Sequence, residues 1–127
     1  KEKKHLANYI IEIDVLKSQV GLFFDFDLFN ESLKALNTEK EDYNLPTTVF
    51  LSGKLNGSII GWHLVYMPVS AKTETIWHES LHAAYNVLYS HGIDLTQNNH
   101  EMLAYLQAYI VNKIHEFIKI EKNTVEI

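Results

Sequence analysis

The run Thr73-Glu74-Thr75-Ile76-Trp77-His78-Glu79-Ser80-Leu81-His82-Ala83-Ala84 is where this chain changes its period. From about Thr73 to Ser90 the apolar residues Trp77, Leu81, Ala84 and Leu88 recur at helical spacing, which predicts a helix with those four on its core face. Thr73 is the expected N-cap, Glu74 suits the positive end of the helix, and His91-Gly92 is the expected stop. Inside the first turns stands His78-Glu79-x-x-His82. Residues four apart on a helix share a face, with Cβ atoms about 5–6 Å apart, so the two imidazoles can converge on one metal ion. Glu79, beside the first of them, is then placed to act on a water as general base.

Upstream, the chain reads as strands. Leu6–Leu16 carries the alternation Ile11, Ile13, Val15, and Val20–Phe26 is a second β candidate, with Lys17-Ser18-Gln19 as the expected turn between them. Asn30 is the expected cap of a short helix reaching about Leu36. Thr47–Leu51 and Ile59–Met67 are the third and fourth strands, joined across Asn56-Gly57, the strongest short hairpin signal. Downstream, a loop over Ile93–Gln97 leads to a second long helix from about Asn99 to Ile120. The expected class is α+β: one domain over residues 1–127, with a small, mainly antiparallel sheet followed by two long helices. The short link between the helices favours an antiparallel pair.

Composition narrows the chemistry. With 127 residues and 46% hydrophobic content, a core can form without covalent staples. There is no cysteine, so any zinc must be held by histidine and carboxylate. A net charge of −5 with 11 basic residues argues against a nucleic-acid surface. No apolar run reaches membrane-spanning length and no signal-peptide core is visible, so the expectation is a cytoplasmic protein with no membrane partner, with a mature secreted form as the alternative.

A catalytic zinc site needs a third protein ligand. Glu101, 19 residues past His82 in the first turn of the second helix, is the candidate, with His100 and Asp94 in reserve. In an antiparallel pair the start of the second helix lies near the end of the first. The Ser90–His100 segment must therefore run back along that helix, or the helices must cross steeply. The competing reading of Glu101 is a capping box with Asn98.

His78-Glu79-x-x-His82, with Glu101 at the head of a following helix, resembles the gluzincin branch of the zincin metallopeptidases. The finer text, Ile76-Trp77-His78-Glu79-Ser80-Leu81-His82-Ala83-Ala84 and then His100-Glu101-Met102-Leu103-Ala104-Tyr105-Leu106, is similar to small phage- and prophage-encoded zincin-like proteins over roughly Ile59–Val111. The resemblance implies Zn2+ bound by His78, His82 and Glu101, with Glu79 as base. It also implies an edge strand just before the motif helix, here Ile59–Met67, able to pair with an extended peptide or protein substrate, in a chain this small one specific partner. Transition-state donors have no matched position, and Tyr105, Tyr85, His63 and His100 are the candidates. Tyr85 and Tyr89 also read as an aromatic core stripe, and His63 as a packed or exposed strand residue. The alternative to a zinc-dependent hydrolase is a non-catalytic metal-binding or protein-interaction domain on the same scaffold.

Overall fold

A computed structural model of the chain describes residues 7–55 and 58–125, without the side chains of residues 53–55, 58–60 and 125. Among the described residues, four strands form one sheet in the order β1-β2-β4-β3. β1 (Tyr9–Ile13) and β2 (Ser18–Phe23) are antiparallel, with Tyr9 opposite Leu22 and Ile13 opposite Ser18. The turn between them comes earlier than expected. Asp14–Leu16 form a single 3-10 turn closed by Lys17 in the left-handed region (φ 52), so Ser18 already belongs to β2. Val15, which the alternation placed in the strand, is 90% exposed on that turn.

The first helix, α1 (Phe26–Ala35), also starts ahead of its expected cap. The Asp25 carboxylate accepts from the amides of Asp27 and Leu28 at 2.9 and 3.2 Å, which satisfies donors that the helix start leaves open. Asn30 instead ties down the following loop, accepting from the Glu41 amide at 2.8 Å. Phe29 and Leu33 of α1 pack with Phe23, Leu64 and Tyr66 on one face of the sheet.

β3 (Thr47–Leu55) and β4 (Ser58–Tyr66) pair as an antiparallel hairpin up to Leu55 opposite Ser58. Asn56-Gly57, the predicted turn, lies outside the described residues. β4 then pairs in parallel with β2, Val20 opposite His63 and Phe23 opposite Tyr66. The sheet is therefore mixed, with both hairpins antiparallel. This pairing corrects one expectation: the strand before the motif helix is internal, because β2 occupies its other side, and the edge next to it is β3.

α2 (Thr73–Ser90) and α3 (His100–Val125) cover the opposite face. The class is α+β, as expected. Lys72, not Thr73, holds the N-cap position of α2, and Thr73 is its first helical residue. The core face of α2 is also rotated from the predicted one. Ile76, Ala83, Ala84, Val87 and Leu88 are buried with Ile11, Ile13, Val20, Leu22, Val65 and Met67 of the sheet and Leu106, Ile110, Val111 and Ile114 of α3. Trp77 and Leu81, placed in the core by spacing, are 41% and 42% exposed. The small residues Ala83 and Ala84 are what let α2 lie close.

Strand alternation decides what each helix meets. Thr48, His63, Val65 and Met67 face α2, while Val49, Leu51, Leu64 and Tyr66 face α1. Glu79 of α2 lies beside Thr48 near the start of β3, and Ser90 lies beside His63. α2 thus runs opposite to β4. α3 passes from Glu12, which accepts from the Tyr109 hydroxyl, to Tyr9, which stacks on Phe117 and donates to Glu121. The two helices are antiparallel.

Candidate metal centre

α2 turns its sheet-averted side to solvent, and the two motif histidines stand on it. His78 and His82 are both exposed, and their ring centroids are 4.9 Å apart at an interplanar angle of 75°. That spacing follows from the one-turn separation and brings the two imidazoles together. The same outward face carries Leu81, Tyr85 and Tyr89, and Tyr85 stacks on Tyr89 with centroids 6.3 Å apart. The histidines are therefore polar groups in an aromatic, apolar surround. The competing reading of Tyr85 and Tyr89 as core does not match their exposure, 43% and 62%.

Glu79 points to the side of α2 that meets β3. It is 6% exposed, and Oε1 accepts from the Thr48 hydroxyl at 2.5 Å. A carboxylate this far from water needs a donor, and Thr48 supplies it. A shallow cavity of about 370 Å³ opens there, lined by Pro46, Glu74, Thr75, His78 and Glu79. The first histidine and the acidic residue thus share one depression at the head of the edge strand.

The connection between the helices does run back. Gln107 Nε2 donates to the Trp77 carbonyl at 3.0 Å, so the second turn of α3 lies beside the first turns of α2. At 1.5 Å per residue, His100 lies about 10 Å from Gln107 and Ser90 about 20 Å from Trp77, so α3 begins roughly midway along α2. That brings Glu101 to the level of the histidine pair along the helix axis. Its phase is different. At about 100° per residue, Glu101 is about 120° around the helix from Gln107, whereas His100, two turns before Gln107, shares its face. Glu101 is solvent-exposed on the first turn of α3. Among the described residues, no three of His, Cys, Asp and Glu come together as a metal-binding group. The structure assembles the histidine pair and leaves Glu101 one helix face away.

The capping box read from Asn98 and Glu101 is replaced by other bonds. Asn99 Oδ1 accepts from the Thr96 amide at 2.8 Å, Asn98 N donates to Thr96 Oγ1 at 3.2 Å, and a ring nitrogen of His100 meets the Gln97 carbonyl at 2.8 Å. The reserve ligand Asp94 is exposed on the loop before them, where its carbonyl accepts from the Asn99 side chain.

The candidate donors scatter. Tyr105 is 74% exposed on α3, and His100 is exposed at its head. His63 is buried at 6% exposure at the other end of α2. Its Nε2 is 3.5 Å from Ser90 Oγ, and its ring stacks on Phe50 with centroids 4.6 Å apart. Eight residues of helix separate Ser90 from His82, an axial distance of about 12 Å. Burial, and secondarily the proximity of His91, pulls the His63 pKa down to about 4. It is thus a neutral, packed imidazole away from the histidine pair.

Sequence reasoning did not single out Thr48. Two adjacent threonines at a strand start carry no motif, and only the pairing order shows that β3 is the strand running past Glu79. Comparison of the chain with protein-family models, curated proteins and solved structures returned no match. Among the described residues, no helix is long and apolar enough to cross a membrane.

Proposed function

We propose that the chain is a zinc-dependent metallopeptidase in which the paired His78 and His82 hold the metal, Glu101 completes the set once the head of α3 turns toward them, and Glu79 is the general base. The observation that carries this reading is the pairing of His78 and His82, 4.9 Å between ring centroids, with Glu79 opening on the same cavity as His78. The donor set suits zinc: two imidazoles and a carboxylate in a chain without cysteine. Zinc held there would supply Lewis acidity, polarising a carbonyl and making water easier to deprotonate.

The protein's own groups perform the rest. Glu79 takes a proton from the attacking water at its carboxylate and returns it to the departing amine. β3, the sheet edge, offers unpaired main-chain groups to which an extended peptide can add as a further strand. The cavity lies at the start of that edge, between Pro46 and the first turns of α2. Leu81, Tyr85 and Tyr89 beside the histidines favour a peptide or protein with apolar side chains over a small polar amide.

Metal analysis and a fluorogenic peptide pool test the proposal. Wild type should carry one zinc and cleave a subset of peptides. Glu79→Gln should keep the zinc and lose cleavage by a factor of about 10²–10⁴. Glu101→Ala should lose zinc. Unchanged metal content in His78→Ala would overturn the site altogether, and zinc-loaded wild type that cleaves nothing in the pool would favour the non-catalytic metal-binding domain.

A further inference from the structure

We infer that Thr48 is a positioning residue for the general base, tying the Glu79 carboxylate to the strand that would carry the substrate. The inference rests on the metallopeptidase reading and adds to it a residue outside the motif. Thr47 and Thr48 are adjacent, but the strand sends them to opposite faces. Thr47 donates to the Leu45 carbonyl at 2.9 Å, a bond local to the strand start. Thr48 turns to α2, where its Oγ1 lies 2.5 Å from Glu79 Oε1 and 3.2 Å from the Glu79 carbonyl. A hydroxyl has one proton to give, and the carboxylate is the nearer and stronger acceptor.

The consequence is directional. Glu79 is 6% exposed, so few waters compete for its oxygens, and the Thr48 hydroxyl fixes one of them. The other oxygen is left for proton transfer. Glu79 lines the cavity it shares with His78, so fixing Oε1 on the β3 side sets how the free oxygen meets that space. Thr48 is also on the sheet edge, opposite Val65 of β4. A peptide added to β3 therefore docks on the same strand that holds the base. Substrate position and base position share one rigid element, which is how a proton-transfer geometry is held to within fractions of an ångström.

Thr48→Val, nearly isosteric, removes the donor, and Thr48→Ser restores it. With a peptide selected from the pool, Thr48→Val should lower kcat about 10- to 100-fold while KM and zinc content stay within twofold of wild type. Thr48→Ser should recover to within about threefold. In a Glu79→Gln background, Thr48→Val should cause no further loss, because the group it positions is already gone. A Thr48→Val enzyme with full kcat overturns the inference, as does a Thr48→Ser enzyme as slow as Thr48→Val, since bulk and not the hydroxyl would then matter. If Thr48→Val does not fold, Thr48→Ala with and without Ser rescue reads the same hydroxyl. Failure of the underlying reading is distinguishable: wild type itself then cleaves nothing, which overturns both.

Discussion

Gln107 of α3 donates its side-chain amide to the main-chain carbonyl of Trp77 in α2, at 3.0 Å. One residue before His78, this bond fixes the height of α3 against the helix that carries the histidine pair. It is a tie between main chain and side chain, so its effect lies in register and not in bulk.

Replacing Gln107 by Leu keeps the volume and removes the tie. Stability should fall by about 0.5–1.5 kcal/mol, the usual net worth of one such bond. Zinc affinity should also fall if α3 carries the third ligand, because Gln107 sets the height of α3 against the histidine pair. Calorimetric zinc titration of Gln107→Leu checks this. A stability loss with unchanged zinc affinity would place the third ligand off α3.

His63 makes stability depend on pH through burial. Its pKa is held at about 4 in the folded protein, against about 6.5 when unfolded. The folded state thus binds fewer protons than the unfolded chain between these values. The contribution is fully present above about pH 6.5 and is lost as pH falls toward 4. Between pH 7 and pH 5 the loss should be about 2 kcal/mol. Phe50 stacks on the ring, Ser90 lies beside it, and the proximity of His91 disfavours protonation of His63 further. Urea midpoints at the two pH values, in wild type and His63→Phe, measure the difference, and the variant should show the smaller decline.

Gly61 is where the Phe50 ring crosses the sheet. A Cβ added at Gly61 would lie 2.6 Å from Phe50 Cε1, so the ring would have to leave its stack on His63. Gly61→Ala should destabilise by about 1–3 kcal/mol. The same substitution in a Phe50→Leu background should cost less, because the obstructing ring is absent. Equal costs in both backgrounds, read from denaturant midpoints, would contradict this account.

Asp25 caps α1 through two amides. Asp25→Ala should cost about 1 kcal/mol, within a range of roughly 0.5–2. Since α1 packs on the face opposite α2, zinc content should not change. Thermal unfolding alongside metal analysis tests both halves of the statement.

The strands, both long helices and the motif were legible because each rests on local chemistry. α2 spans Thr73–Ser90 as its periodicity predicted, and the β3–β4 hairpin joins the strands on either side of Asn56-Gly57. What the sequence left open was non-local. The parallel pairing of β4 with β2 has no turn to announce it, and it moved the sheet edge from β4 to β3. The buried face of α2 keeps Ala84 and Leu88 of the predicted set but takes in Ile76, Ala83 and Val87, which leaves Trp77 and Leu81 outside the core. Asp25 is hidden as a cap because the apolar run Phe23-Phe24 and Phe26 reads through it as strand. Thr48 became visible once the edge strand was known.

The parallel pairing of β2 with β4 has a kinetic side. Val20 and His63 are 43 residues apart in the chain yet adjacent in the sheet. Closing that loop is entropically slow, whereas the β3–β4 hairpin and the helices form from near neighbours. A fragment beginning at Thr47 would contain both motif histidines, Glu79, Glu101 and Thr48, and still lack the strand against which β4 is braced. Pairing of β2 with β4 should therefore lag behind helix formation during refolding and mark its last long-range step.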